Sequence, residues 1–294
     1  IDAALFVQAV LVHADDDTEP STLTVLLNQA LRVACRYADQ HTRRVLLERL
    51  VADDSTGPST EGEPAVLPGG WGRLRAAAPG SDAQIVRARA WLEAAGQARL
   101  LGEAGSAQVA ARAREILDGA LPGLELDADM RWRALTALAR LDAVSANELE
   151  VQRKADPTAS GITHHLQASS SMPHQDLKAE VFERLLSDTS VSNDHIDALV
   201  AGFAIDAHRE LTASFTPRYL REIQGLWAER GQEIATRLVV GLFPSCGDEA
   251  DAQAVEDWLA THPEAPSALR RLILKSLDDL RRALTARRTG SAVL

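Results

Sequence analysis

Between Ser267 and Arg288 the apolar residues Leu269, Leu272, Ile273, Leu277, Leu280 and Leu284 recur at three- and four-residue steps, with Arg270, Arg271, Lys275, Asp278, Asp279, Arg281 and Arg282 between them. This spacing lays one apolar stripe along a helix, and such a stripe must be buried against another helix. Comparable stripes recur upstream. Ala3 to Val12 is an apolar opening segment, and Leu23, Leu26, Leu27, Ala30, Leu31 and Ala34 follow a cap at Ser21 or Thr22. Val45, Leu46 and Leu50 mark a third helix, Ser81 or Asp82 opens one with Ile85, Ala88 and Leu92, and Met130, Ala134, Leu135, Leu138 and Leu141 share another face. Asn147 starts a helix that Asp156-Pro157 ends. Four more stripes run through Val181 and Phe182, through Ile196 and Phe203, through Tyr219 and Ile223, and through Leu238 and Val239.

No segment alternates apolar and polar residues as a half-buried strand does. Helices of about ten to eighteen residues joined by short turns predict an all-α chain of antiparallel helix pairs, stacked as a HEAT/armadillo-like α-solenoid. No strict sequence period accompanies the pattern, so a compact helical bundle is the rival arrangement. Hydrophobic residues make up 46% of the chain and aromatic ones 4%, so Ala, Leu and Val supply the packing and the helices can approach closely. One helical-repeat domain is expected over residues 1–294. It is interrupted by a flexible surface loop over 52–72, where ADDSTGPSTEGEPAVLPGGWG is rich in Gly, Pro, Ser, Thr and acids. Trp71, within that loop, belongs to no stripe.

Charge and composition exclude several functions. A net charge of -11 argues against nucleic acid as a partner, because phosphate backbones are bound mainly by Lys and Arg. The basic run from Arg281 to Arg288 is read as cations meeting the negative end of their own helix. No apolar stretch is long enough to span a membrane, and IDAALFVQAVL is too short, with acids after it, for a secretory signal. Its initial Ile is expected to mark a piece of a longer chain. Cys35 and Cys246 form neither a disulfide framework nor a metal-ligand spacing, so free thiols are expected.

The candidates for chemistry each have a plainer reading. His164 and His165 are adjacent, so on a helix they diverge by about a hundred degrees and do not chelate one ion. His174, His195, His208 and His262 lie in polar surroundings and are expected to be solvated or locally hydrogen-bonded. Asp194-His195 beside serines hints at a nucleophilic triad, but no G-x-S-x-G elbow exposes a serine. Gly69, Gly70 and Gly72 resemble a phosphate loop, yet they follow no predicted strand and lack the Gly-Lys-Ser/Thr ending. Asp278-Asp279 is a solvated pair on a polar face, and Trp132, Trp227 and Trp258 are expected to anchor the core.

One family accounts for the order of the segments. WAERGQEIATRLVVGLFP (Trp227 to Pro244) and EDWLATHPEAPSALRRLILKSLDDLRRAL together resemble the C-terminal end of actinobacterial aminopeptidase N. LLNQALRVACRYAD from Leu26, APGSDAQIVRARAW from Ala78, LELDADMRWRALTALARL from Leu124, NELEVQRKADPTASG from Asn147 and AEVFERLLSDTSVSNDHIDALVAGF from Ala179 extend the resemblance. Segments 52–72 and 96–107 match less well. The resemblance implies a zinc-dependent, thermolysin-like aminopeptidase in which a helical-repeat domain packs over the mouth of the catalytic domain. Similar domains close the chamber of the endoplasmic-reticulum aminopeptidases. The family's H-E-x-x-H zinc helix and its G-x-M-E-N string are missing from this chain, so no catalytic or metal residue carries over.

The chain alone should therefore be inactive and hold no cofactor, with zinc in a missing catalytic domain of the same polypeptide. Its expected role is to enclose the chamber of a cytoplasmic enzyme and limit access to peptides. A peptide's terminal carboxylate needs a cation, and Arg218 and Arg237, which flank core stripes, are the candidate peptide contacts. The alternative is an independent helical-repeat scaffold that binds a protein partner.

Overall fold

A computed structural model describes residues 2–14, 19–57 and 65–290, and these divide into two compact units. The first comprises Ile1–Val144 with Ala286–Leu294, the second Ser145–Thr285. Each is built from packed helices, so the chain is all-α, with one small hairpin among the described residues.

The first unit contains α1 (Ala3–His13), α2 (Pro20–Tyr37), α3 (Gln40–Val51), a hairpin of β1 (Asp54–Gly57) and β2 (Ala65–Pro68), α4 (Gly70–Ala76), α5 (Asp82–Ala95), α6 (Gly102–Leu117) and α7 (Ala128–Arg140). Ser81 caps α5 by accepting from Gln84 N, as expected, and Asp127 caps α7 through Met130 N at 2.7 Å. At α2 the start moves upstream: Pro20 occupies the first turn, where its preset φ suits a helix and its missing N–H costs nothing. Helix α5 touches α2, α3, α4 and α7, and α7 is buried over most of its circumference, with Trp132, Thr136, Ala137 and Ala139 added to the predicted face. In α3 Leu46, Leu47 and Leu50 point inward, whereas Val45 is exposed.

The segment expected to be a flexible loop carries defined structure on both flanks, while its centre, 58–64, lies outside the described residues. β1 pairs antiparallel with β2 from Asp54↔Pro68 to Gly57↔Ala65. The glycines after β2 are a packing device. A Cβ on Gly70 would run into the Leu50 carbonyl, and one on Gly69 into that of Ala52. This close approach seats Trp71, 2% exposed, on Trp91 with ring centroids 4.7 Å apart. Trp91 Nε1 donates to Val51 O at 3.1 Å, where Arg112 also donates.

The second unit contains α8 (Ala146–Ala155), α9 (Ala159–Ser170), α10 (Gln175–Ser187), α11 (Asn193–Phe203), the short α12 (Arg209–Thr212), α13 (Thr216–Glu229), α14 (Gln232–Gly241), α15 (Glu249–Thr261) and α16 (Ser267–Gly290), whose last residues belong to the first unit. A capping box of Ser145 and Glu148 starts α8, and one of Asp248 and Asp251 starts α15. Consecutive helices pair as α8 with α9, α10 with α11 and α13 with α14. The pairs stack through α9 on α11 and α11 on α14. One continuous core results, from Val181 and Phe182 through Tyr219, Leu238 and Trp258 to Leu269, Ile273 and Leu280. Tyr219 is 1% exposed, donates to Val239 O at 2.7 Å, and has its phenol pKa pushed up by burial.

Lys178 of α10 is fully buried at the junction of these pairs. Its Nζ donates to Ser170 O, at 2.9 Å, and to Gly202 O, so one ammonium closes the C-terminal ends of α9 and α11. Lys178→Met keeps the aliphatic stem but leaves two buried carbonyls without this donor, and should cost about 2–4 kcal/mol. Urea unfolding followed by circular dichroism measures this, and an unchanged midpoint refutes it. In the first unit, buried Arg140 donates to Glu93 Oε1 at 2.7 Å, and its charge holds the Glu93 carboxyl below the usual range. A depressed folded pKa contributes stability above the ordinary glutamate value, which is lost as pH falls through the lowered one. Glu93→Gln should therefore flatten the acid limb of the urea midpoint against pH, and a limb as steep as that of the parent sequence counts against it.

Candidate functional site

Stacking α9 against α11 brings two polar stripes face to face. Ser160, Thr163, His164 and Gln167 follow i, i+3, i+4, i+7 spacing on α9, and Asp194, Asp197, Ala198 and Ala201 follow the same spacing on α11. Between them lies an open groove of about 580 Å³. Ala159, Ala198 and Ala201 line it with short side chains, which is why space remains between closely packed helices. The charge at its edge is shared with α14, where Arg237 bonds Asp197 of α11 and Glu233 of its own helix, the latter at 2.9 Å.

The two arginines selected from the sequence therefore have different surroundings. Arg237 adjoins the groove through Asp197. Arg218 of α13 instead forms a two-pronged bridge to Glu183 of α10, with Nη2 2.8 Å from Oε2, and lies over the Phe182 ring at 5.7 Å. Both guanidinium groups already hold carboxylates of this chain. Accepting from Arg237 lowers the Glu233 pKa, and donating to Glu233 and Asp197 raises that of Arg237.

The other candidates resolve into structure. Ser192 Oγ accepts from His195 N as the N-cap of α11, which explains a serine beside Asp194-His195 without a nucleophile. A serine does approach a histidine at Ser169, whose Oγ is 3.2 Å from His165 Nε2. The Glu150 carboxylate, at 3.8 Å, lies off that same nitrogen. A relay needs the acid on the opposite ring nitrogen, so no triad is formed. Burial lowers the His165 pKa. His262 stacks on Trp258 at 4.8 Å, and His208, expected to be solvated or locally hydrogen-bonded, is fully buried, because a 3-10 turn folds it inward ahead of α12.

The glycines at 69, 70 and 72 offer no phosphate cradle. Gly69 N and Trp71 N donate to Asp53 O and Ala52 O, at 2.6 and 2.9 Å, and backbone carbonyls fill the space above the glycines. Trp132 and Trp258 are buried and Trp227 is partly so, as anchors of the core. Cys35 is buried, and Cys246 Sγ donates to Asp206 Oδ1 at 2.7 Å. Arg281, read as a partner of its own helix end, instead bridges Glu249 and Glu256 of α15. Among the described residues no group of three or more His, Cys, Asp or Glu side chains is placed to hold a metal ion. No described helix is long and apolar enough to cross a membrane.

Residues 70–282, which include the groove, match the model of the family described as ERAP1-like C-terminal domain. Aminopeptidase N of Streptomyces lividans is 32% identical over 222 residues, which cover 74% of this chain and 25% of that protein. The chain thus spans about a quarter of the length of that relative. Replacing Arg237 with Ala should raise the Glu233 pKa toward its ordinary value, read from carboxyl chemical shifts in an NMR pH titration. An unmoved Glu233 titration would show that the bridge does not persist in solution.

Proposed function

Because the chain belongs to the ERAP1-like C-terminal domain family, we propose that it is the non-catalytic C-terminal part of a zinc aminopeptidase that removes N-terminal residues from peptides. The observation that carries this reading is the family match over residues 70–282, together with the similarity to a protein named aminopeptidase N. The sequence contains no H-E-x-x-H string, so the zinc and the bond-breaking groups belong to the rest of the polypeptide. The contribution of this part is geometric. Stacked helix pairs form a wall that a folded protein cannot thread and an extended peptide can pass. Such a wall selects substrates by size without touching the scissile bond.

The catalytic domain of the same polypeptide is the first partner in this reading, and the peptide is the second. The proposed setting is cytoplasmic. Arg237 and Arg218 serve as contacts for a peptide's terminal carboxylate. Each already grips a carboxylate, so a peptide carboxylate would replace Asp197 or Glu183 with the same kind of bond. Exchange of like for like makes such a contact reversible.

Incubated with zinc and an aminoacyl-arylamide, the chain should release no arylamine. Sustained hydrolysis that a chelator abolishes would overturn the reading. The reading frame of the parent protein should carry H-E-x-x-H, and a frame without it would be equally decisive.

A further inference from the structure

Helix α5 turns Arg87, Ala90, Trp91 and Ala94 to one face at i, i+3, i+4, i+7 spacing. Arg73 of α4 reaches the same place, because the glycines before it seat α4 on the end of α3. With leucines of α1, α2 and α3 these residues line a cavity of about 30 Å³ in the first unit. The two guanidinium groups in its wall are unusual for their depth: Arg73 is 8% exposed and Arg87 9%. Each donates to a backbone carbonyl, Arg73 Nε to Pro68 O at 3.0 Å and Arg87 Nη2 to Ala14 O at 3.4 Å. A guanidinium does not shed its proton in a protein, so both charges are present together in a mostly apolar surround.

Other arginines of the chain mark the contrast. Arg153, Arg218, Arg237 and Arg281 hold carboxylates, and their pKa values are raised by those bonds. Burial lowers those of Arg73 and Arg87, and the charge of Arg87 lowers that of Arg73 further. Desolvation and mutual repulsion therefore outweigh whatever else these two groups hold.

We propose that the cavity between α4 and α5 binds a chloride ion, held by the guanidinium groups of Arg73 and Arg87. An anion placed between two cations turns their repulsion into two attractions. Size sets which anion. A water needs roughly 10–15 Å³ of such space, so about 30 Å³ admits a monatomic anion and is too small for a peptide terminus or a sugar acid. Water alone would fill the space without supplying charge. The five N–H donors of each guanidinium exceed what one carbonyl uses, so donors remain to face the ion. Bound there, chloride ties α4 to α5 and makes the stability of the first unit depend on the anion in solution. The site is independent of the peptide-chamber reading.

The chlorine NMR line of a sodium chloride solution is followed as the 294-residue chain is added, with ionic strength held by sodium gluconate. The line should broaden with protein and sharpen again on adding bromide, another monatomic anion, whereas more gluconate should leave it broad. The thermal midpoint should be higher in chloride than in gluconate at equal ionic strength. Arg87→Gln should weaken chloride binding about tenfold, as expected for losing a hydrogen bond from a charged donor. Ala90→Leu, which fills the cavity and keeps both arginines, should remove the broadening as well, and circular dichroism confirms that each variant is folded. Broadening that bromide does not compete away, or that either folded variant retains in full, overturns the assignment. So do coincident midpoints in chloride and gluconate, and none of these results touches the family-based reading.

Discussion

Cations at helix ends fix how the helices of this chain meet. Every α-helix leaves its last carbonyls without intrahelical donors, and in a stack of short helices many of those ends are buried. Here cations from neighbouring helices close them. Lys178 serves α9 and α11 at once, Arg230 donates to Leu186 O and Asp188 O at the end of α10, and Arg270 donates to Leu259 O and His262 O at the end of α15. In the first unit Arg287 donates to Arg36 O and Arg43 to Ala38 O at the end of α2, and Arg112 to Val51 O at the end of α3. A positive charge at the negative end of a helix is favourable on its own, and a donor from the next helix also fixes how two elements meet. Apolar stripes bring helices together without direction, and these bonds supply the direction.

That arrangement bears on the groove. With α9 and α11 tied at their C-terminal ends by one ammonium, their exposed polar stripes are held in register. Small residues along the contact keep space open between them. Charge is distributed sparingly: Arg237 is shared between two carboxylates, Arg218 is spent on Glu183, and Asp194 stays uncommitted. A surface of this kind is suited to holding and releasing a flexible ligand.

Much of the fold was legible because burial follows periodicity. The stripes through Leu269, Ile273, Leu277 and Leu280, through Val181, Phe182 and Leu185, and through Tyr219 and Ile223 all lie in the core. Caps at Ser81 and the stop before Asp156-Pro157 were equally readable, since they depend on a few adjacent residues. Reading failed where a residue's fate depends on distant chain. Val45 continues the apolar pattern and yet is exposed, and Trp71 lies among loop residues and yet is buried on Trp91. The glycines at 69 and 70 suggested flexibility, when their lack of a side chain admits the end of α3. Of the groove, the residues of α9 and α11 were present in the sequence, but nothing local says that they oppose each other.

Local chemistry alone therefore settled the helices, most of the buried faces, the family and the lack of an H-E-x-x-H zinc motif, since each follows from residue spacing or from strings that can be read directly. Which arginine meets which carboxylate, which lysine closes two helix ends, and which polar faces become a groove were decided by packing. A side chain's partner across forty residues is a matter of three-dimensional distance, and linear order carries no record of it.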